Sequence, residues 1–207
     1  MKRTICLLFT LFFLTSTISA SAATIYPLPS SVSINQLGGL ELPVDVVWDR
    51  GWEAKMTVYA YDSFSSRDLH NLRAGDSIVI SGRREYVYSV NWDGDMLWIN
   101  DNYENCYSFY DEYGTGAYTC MDGYYHTASS AIGVIIIDPN VRLSCLDYLD
   151  LVNMCYRDPP FVYSSSDFIN LLKTDKAGFR KNNTYALFDA NSMPQVIYRY
   201  YSAIESY

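Results

Sequence analysis

The stretch EYVYSVNWDGDMLWIN, residues 85–100, carries the clearest structural signal in the chain. Asp93-Gly94 is one of the strongest two-residue hairpin signals, because glycine readily adopts the positive φ that such turns require. The flanking residues are rich in Val, Tyr, Trp and Ile, which favour β-strands. We therefore predict two antiparallel strands joined at Asp93-Gly94, with Trp92 opposite Asp95.

Strand and turn patterns continue on both sides of this hairpin, and together they predict a mostly β fold. Further strands are predicted at Glu53–Asp62, Asp76–Gly82, Tyr107–Asp111, Thr115–Thr119, Ala131–Ile137, Tyr185–Phe188 and Gln195–Tyr201. The uncharged run Ala131–Ile137 is typical of a buried strand. Ser66 and Ser166 are predicted N-caps of two short helices, the second ending at Thr174. Many short strands separated by turns indicate a small antiparallel barrel or a curled sheet.

A nine-residue run bears on the choice between barrel and sheet. Leu72–Ile80 reads LRAGDSIVI and resembles the strand entry of SH3-like and OB-like barrels. The resemblance implies that a barrel, if present, is SH3-like or OB-like.

The N-terminus predicts a cleaved secretory signal peptide, residues 1–22. Lys2 and Arg3 form a positive start, Ile5–Ile18 is apolar, and Ala20-Ser21-Ala22 supplies the small residues of a cleavage site. We expect a secreted or extracytoplasmic protein, in the periplasm or at the cell surface, of bacterial origin. Residues 23–50 are predicted to form an extended lead-in, and residues 51–207 a single mostly β globular domain.

The net charge of the chain argues against some classes of binding partner. The whole chain has a net charge of −8, and loss of Lys2 and Arg3 with the signal peptide makes it −10. Nucleic-acid affinity depends on clustered Lys and Arg, so we expect no nucleic-acid partner. No second apolar segment is long enough to cross a bilayer, so the mature chain is predicted to contain no integral membrane span. The sequence indicates neither a metal site nor a cofactor.

Four cysteines remain after the signal peptide, and an even number in a secreted chain predicts disulfides. A hairpin with Glu112-Tyr113-Gly114 as its loop would place Cys106 opposite Cys120. Cys145 would then pair with Cys155. This second bridge conflicts with a helical interpretation of Leu146–Met154, because ten residues of helix span about 15 Å. We favour the bridge and an irregular loop.

Familiar catalytic motifs are lacking in the sequence. It contains no Gly-x-Ser-x-Gly elbow and no Ser-x-x-Lys, and its two histidines are His70 and His126. His70 is expected at a polar position of the first helix, and His126 in a surface loop. The sequence therefore does not predict an enzyme.

Aromatic residues are the unusual feature of the composition, with 20 tyrosines and four tryptophans. Tyrosine favours strands, so cross-strand packing alone could account for many of them. Aromatic side chains are also enriched at binding surfaces, where they could form a platform for sugar rings or a partner protein. The candidate binding residues are Trp92, Trp98, Tyr103, Tyr107, Tyr110, Tyr113, Tyr118, Tyr124 and Tyr125.

These observations favour a secreted, non-catalytic binding module whose Tyr-rich strands contact a glycan, a cell-wall surface or a protein. One alternative is a polysaccharide hydrolase that uses two carboxylates, as most glycosidases do. Another is a structural or accessory domain of a secreted complex.

Overall fold

The structure is a computed structural model that describes residues 22–112, 114–123, 125–140, 143–150, 155–174 and 178–200. The predicted signal peptide, apart from Ala22, lies outside these residues. The strands and helices are β1 Thr24–Ile25, β2 Glu41–Arg50, β3 Glu53–Tyr61, β4 Ser63–Ser65, α1 Ser66–Asn71, β5 Ser77–Ile80, β6 Arg83–Tyr86, β7 Val90–Asp93, β8 Met96–Ile99, β9 Tyr107–Tyr110, β10 Ala117–Asp122, β11 Tyr125–His126, β12 Ala128–Ile137, β13 Ser144–Asp150, β14 Cys155–Tyr163, α2 Ser165–Thr174, β15 Thr184–Phe188 and β16 Pro194–Arg199.

The predicted mostly β fold is confirmed, and the strands form three sheets. The largest has seven strands in the order β12-β3-β2-β15-β16-β13-β14. A second sheet runs β11-β10-β9-β8-β7, with β4 also paired to β10, and a third runs β1-β5-β6. Within the described residues none of these sheets closes into a barrel, so of the two predicted architectures the curled sheet fits.

Two separate hydrophobic cores hold these sheets together. The large core lies between the seven-stranded sheet and α2, where alternate residues of β2 and β3 such as Val44, Val46 and Met56 are fully or almost fully buried. Phe168 of α2 packs edge-on against Phe179, with ring centroids 5.2 Å apart. Alternation with a period of two residues explains why one face of each strand is apolar.

The small core lies between the second and third sheets and α1. Phe64, Leu69, Ile78, Leu97 and Phe109 are all fully buried there. Phe64 and Phe109 meet edge to face at 5.4 Å, a favoured aromatic geometry. This core supports the strands that carry most of the predicted aromatic site.

Both predicted helices are confirmed, but their N-caps lie earlier than predicted, by one residue in α1 and by two residues in α2. The hydroxyl oxygen of Ser65 accepts the backbone N–H of Asp68 at 3.1 Å, so Ser65 and not Ser66 caps α1. In α2 the Ser164 hydroxyl accepts the backbone N–H of Asp167 at 3.2 Å. An N-cap side chain bonds two or three residues ahead, and each run of serines offers several candidates.

The hairpin at Asp93-Gly94 is confirmed, but its predicted register is wrong. Asp93 pairs with Met96 and Trp92 with Leu97, so the two loop residues are Gly94 and Asp95. Gly94 has φ +58°, and Asp95 is not among the residues with positive φ. Glycine at the first loop position is the type II′ arrangement, which shifts the pairing relative to a type I′ turn at Asp93-Gly94.

Strand β12 contains the apolar run 131–137, but the prediction that this strand is buried is wrong. Among the described strands it lies at one edge of the seven-stranded sheet and pairs only with β3. Val134 and Ile136 are 50 % and 51 % exposed, since they point away from the large core. In this protein, the continuous apolar run therefore forms an edge strand with one apolar face exposed.

Neither predicted disulfide is present, and all four cysteines from Cys106 onward are free thiols. Phe109 pairs with Cys120, so the β9–β10 hairpin is three residues out of the predicted register and Cys106 is not opposite Cys120. The cause is a longer loop, in which both Asp111 carboxylate oxygens accept backbone N–H groups, from Thr115 at 2.9 Å and Gly116 at 2.7 Å.

The second cysteine pair is separated by strand formation. Cys145 pairs with Tyr163, and Cys155 with Asp150, so the two thiols lie at opposite ends of the β13–β14 hairpin. Leu146–Met154 was interpreted either as a helix or as an irregular loop. Both interpretations are wrong for the residues up to Asp150, which form a strand, and residues 151–154 lie outside the described part.

The closing hairpin is confirmed as β15 and β16. Within the predicted lead-in, Glu41–Arg50 is a strand inside the seven-stranded sheet. Neither helix of the described residues is long and apolar enough to cross a bilayer.

Candidate functional site

The nine predicted aromatic residues do not form one surface. Tyr107 and Tyr118 are 9 % and 8 % exposed and belong to the small core. Trp92 packs partly against the same core and stacks on His70, with ring centroids 4.4 Å apart. His70 is exposed on α1, as predicted. The side chains of Tyr107 and Tyr118 therefore lie in the small core and not on an exposed face of the sheet.

The remaining members divide between described and undescribed positions. Tyr113 and Tyr124 lie outside the described residues, and of Tyr125 only the backbone in β11 is described. Tyr110 is half-buried, with its ring 6.2 Å from that of His126. His126 is not in a surface loop as predicted, because it is half-buried in β11 and its ring lies 4.6 Å from the ring of Tyr61.

Three exposed tyrosines form an aromatic platform: Tyr86, Tyr88 and Tyr103. They are 49 %, 54 % and 51 % exposed. Tyr88 lies between the other two, with ring centroids 4.8 Å from each. Sequence reasoning identified Tyr103 alone. The alternation Tyr86-Val87-Tyr88 could have identified the others, because a buried Val87 directs both neighbours to the opposite face.

Asn100 holds the backbone of this platform in place. Its side chain is buried, its amide oxygen accepts the N–H of Tyr88 at 2.8 Å, and its amide group donates to the Tyr86 carbonyl at 2.9 Å. The N–H of Tyr103 donates to the Asn100 carbonyl at 2.9 Å. Asn100 has φ +56°, a conformation that asparagine tolerates better than most residues. The three rings are thus displayed on a fixed frame.

A shallow groove beside the platform contains the two predicted tryptophans. Its volume is about 470 Å³, and it is lined by Asn91, Trp92, Asp93, Trp98, Asp101 and Cys106. Asn91 and Trp98 are cross-strand neighbours, so the amide and the indole lie side by side on the outer face of the sheet. Asn91, Asp93 and Asp101 are exposed, while Trp98 is half-buried. An aromatic surface bordered by amide and carboxylate groups can contact both the apolar faces and the hydroxyls of a sugar.

The platform and the groove share one loop. Asp101 directly follows Asn100, which holds the platform backbone, and lines the groove. Its carboxylate accepts the Ser89 hydroxyl at 3.2 Å, which connects it to the segment that follows Tyr88. Together the two features form one polar and aromatic surface over residues 86–106.

A deeper cleft lies between the seven-stranded sheet and the smaller sheets, with a volume of about 430 Å³. Most of its side chains are polar or charged. Its lining includes Asp45, Arg83, Glu85, Glu104, Tyr107, Asp122, His126, Arg180 and Lys181. None of the charged residues in this group was predicted to belong to a site.

Burial shifts the pKa values of several groups in the cleft. Burial, followed by repulsion from Glu85, raises the pKa of Asp122. Burial lowers the pKa of His126, against a smaller opposing effect of Glu112. Burial also lowers the pKa of Lys181, although Asp62 and Asp45 act in the opposite direction. Three ionisable groups with shifted pKa values in one cleft are typical of a ligand site.

The stability of the fold should depend on the protonation of His126. Its pKa in the folded state lies below the ordinary value of 6.5, so the unfolded chain binds the proton more readily. The free energy of unfolding should therefore fall as the pH decreases through 6.5. We expect His126→Gln to lose less stability than the parent protein between about pH 7.5 and 5.5, measured by urea unfolding. Equal losses in the two proteins would contradict this assignment.

Within the described residues, no cluster of three or more His, Cys, Asp or Glu side chains is arranged to hold a metal ion. Comparison of the chain with protein-family models, with curated proteins and with solved structures gives no match.

Proposed function

We propose that this protein is a secreted, non-catalytic module that binds glycans through the Trp98 groove and the adjoining tyrosine platform. The observation that carries the proposal is the fixed, exposed row of Tyr86, Tyr88 and Tyr103 beside a groove that combines two indoles with three polar side chains. Exposed aromatic groups of this size on a rigid frame are common at binding surfaces.

The geometry suits an extended ligand. The indole of Trp98 offers an apolar face to a sugar ring, while Asn91, Asp93 and Asp101 offer acceptors and a donor to its hydroxyls. The three platform rings extend this surface along the ligand. Because the backbone of the platform is held by Asn100 before binding, little conformational entropy is lost on association.

Binding should be tested by co-sedimentation of the domain from Ala23 onward with purified cell walls and a panel of insoluble polysaccharides. We expect Trp98→Ala to weaken retention about tenfold or more, since a central aromatic contact contributes most to such an interface. Tyr88→Ala should cause a smaller loss. Tyr26→Ala is the matched control, because Tyr26 is 60 % exposed and lies outside the platform and the groove.

The same co-sedimentation experiment distinguishes a binding module from a hydrolase and from an accessory domain. Retention without soluble sugar supports a binding module, whereas release of soluble sugar would favour a hydrolase that uses carboxylates. Absence of retention, or equal losses for Tyr26→Ala and Trp98→Ala, would contradict the proposal. Co-purification with one protein and no glycan retention would indicate an accessory domain.

A further inference from the structure

The 430 Å³ cleft contains charged side chains of both signs that do not neutralise one another. In the described part of the chain, Arg83, Glu104, Asp122 and Arg180 form neither an ion pair nor a side-chain hydrogen bond. Glu85 accepts one hydrogen bond, from the Asn105 amide at 3.2 Å. Unpaired charges that face a common cavity are available to a charged ligand.

The negative and positive groups belong to different walls of the cleft. Glu85 lies on β6, Glu104 precedes β9, and Asp122 ends β10, so all three carboxylates come from the smaller sheets. Arg180 and Lys181 come from the loop that leads into β15 of the seven-stranded sheet. Arg83 is the exception, because it shares β6 with Glu85 while its charge acts on both Tyr107 and Lys181.

Two of the lining groups serve the fold and are not free for a ligand. The Asp45 carboxylate accepts the backbone N–H of Lys181 at 2.8 Å and the Tyr59 hydroxyl at 2.6 Å. The Lys181 ammonium donates to the carbonyls of Ala128 and Ser81 at 2.5 and 3.4 Å. These bonds fix the loop, and among the described residues of that wall the guanidinium of Arg180 is the available cation.

His126 adds an independent sign of a ligand. Its Nδ1 atom is buried and has no hydrogen-bond partner among the described residues, and the side chain lines the cleft. Buried polar atoms are nearly always hydrogen-bonded, so an unpartnered nitrogen beside the cleft is an exception that a bound ligand or water would explain.

We propose that this cleft binds a small zwitterion, a free amino acid or a dipeptide, with its ammonium group at Glu85 and Asp122 and its carboxylate at Arg180. The volume suits a molecule of that size. The carboxylates of the smaller sheets and the guanidinium of the loop before β15 line the same cleft, so they can attract the two ends of such a ligand and hold it in one orientation. This site is separate from the glycan surface and does not depend on the proposed function.

The proposal is tested by isothermal titration calorimetry of the domain with glycine, L-alanine and L-alanyl-L-alanine. Propionate and ethylamine, which each carry one of the two charges, are the comparison ligands. We expect at least one zwitterion to bind and both comparison ligands to bind at least about tenfold more weakly. Asp122→Asn and Arg180→Gln should each weaken zwitterion binding about tenfold or more.

The surface changes Asp49→Asn and Arg50→Gln are matched controls, because these residues lie at the end of β2 away from the cleft and should leave affinity unchanged. Arg180 is exposed, so its replacement tests the site even if Asp122→Asn impairs folding. Failure of every zwitterion to bind at millimolar concentration would overturn the proposal. Equal affinity for propionate, or unchanged binding by the Arg180 variant, would overturn it too.

Discussion

Replacing Asp147 by Ala is expected to lower the free energy of unfolding by about 3–5 kcal/mol. Both Asp147 and Arg199 are fully buried, and the guanidinium donates to the carboxylate through Nε at 3.0 Å and through Nη2. Arg199 also stacks over Phe179, 4.2 Å from the ring centroid, and the Tyr163 hydroxyl donates to Asp147 at 3.1 Å. Loss of the carboxylate would remove two hydrogen bonds and a negative charge from the buried guanidinium. Urea unfolding followed by circular dichroism measures the effect.

A double replacement distinguishes the cost of breaking the pair from the contribution of the intact pair to stability. Asp147→Leu combined with Arg199→Met removes both charges, and we expect it to be much less destabilising than Asp147→Ala alone. Glu53→Gln breaks the exposed Arg50–Glu53 pair and should leave the urea midpoint unchanged. If the double variant is as unstable as the single one, the pair itself contributes the stability.

Replacing Asp62 by Ala is expected to destabilise the protein by about 3 kcal/mol. Asp62 is 1 % exposed, and its carboxylate accepts the Ser81 N–H at 2.7 Å and the Ser129 hydroxyl. The Asp62 backbone forms two more hydrogen bonds. Its N–H donates to the Thr127 carbonyl at 2.7 Å, and its carbonyl accepts the Cys120 N–H at 3.0 Å. The residue thereby joins the small sheets to β12 of the large sheet.

The effect of Asp62→Ala should be compared with that of Asp95→Ala, which changes an exposed loop carboxylate. A decrease in the urea midpoint confined to the Asp62 variant supports a bridging role. A second unfolding transition in that variant would indicate that the two cores then unfold separately. Equal midpoints in the two variants would contradict the role assigned to Asp62.

Local patterns predicted the strands better than their pairing. The periodicity of Glu53–Tyr61 and the dipeptide Asp93-Gly94 act over a few residues, and both indicated the correct elements. Register depends on which turn residues take positive φ and on side chains such as Asp111 that bond inside the loop. Alternative turns and registers differ little in free energy, so the sequence alone does not show which of them forms. The registers that form separate the cysteines that were expected to pair.

The candidate site was predictable only in part, for a related reason. Trp98 and Tyr103 were predicted and lie on the proposed glycan surface, whereas Tyr107 and Tyr118 are in the small core. A tyrosine suits either face of a strand, so the side it takes depends on the sheet it joins. Arg180 and Glu85 are far apart in sequence but line the same cleft, and no local pattern could reveal this.

Each core also contains its own buried thiol. Cys120 belongs to the small core and Cys145 to the large one, and burial raises the pKa of both. Alkylating reagents react with the thiolate, so each cysteine is protected until its surroundings open. Pulse labelling in increasing urea, with the modified peptides quantified by mass spectrometry, therefore follows the opening of the two cores independently within one unmodified chain.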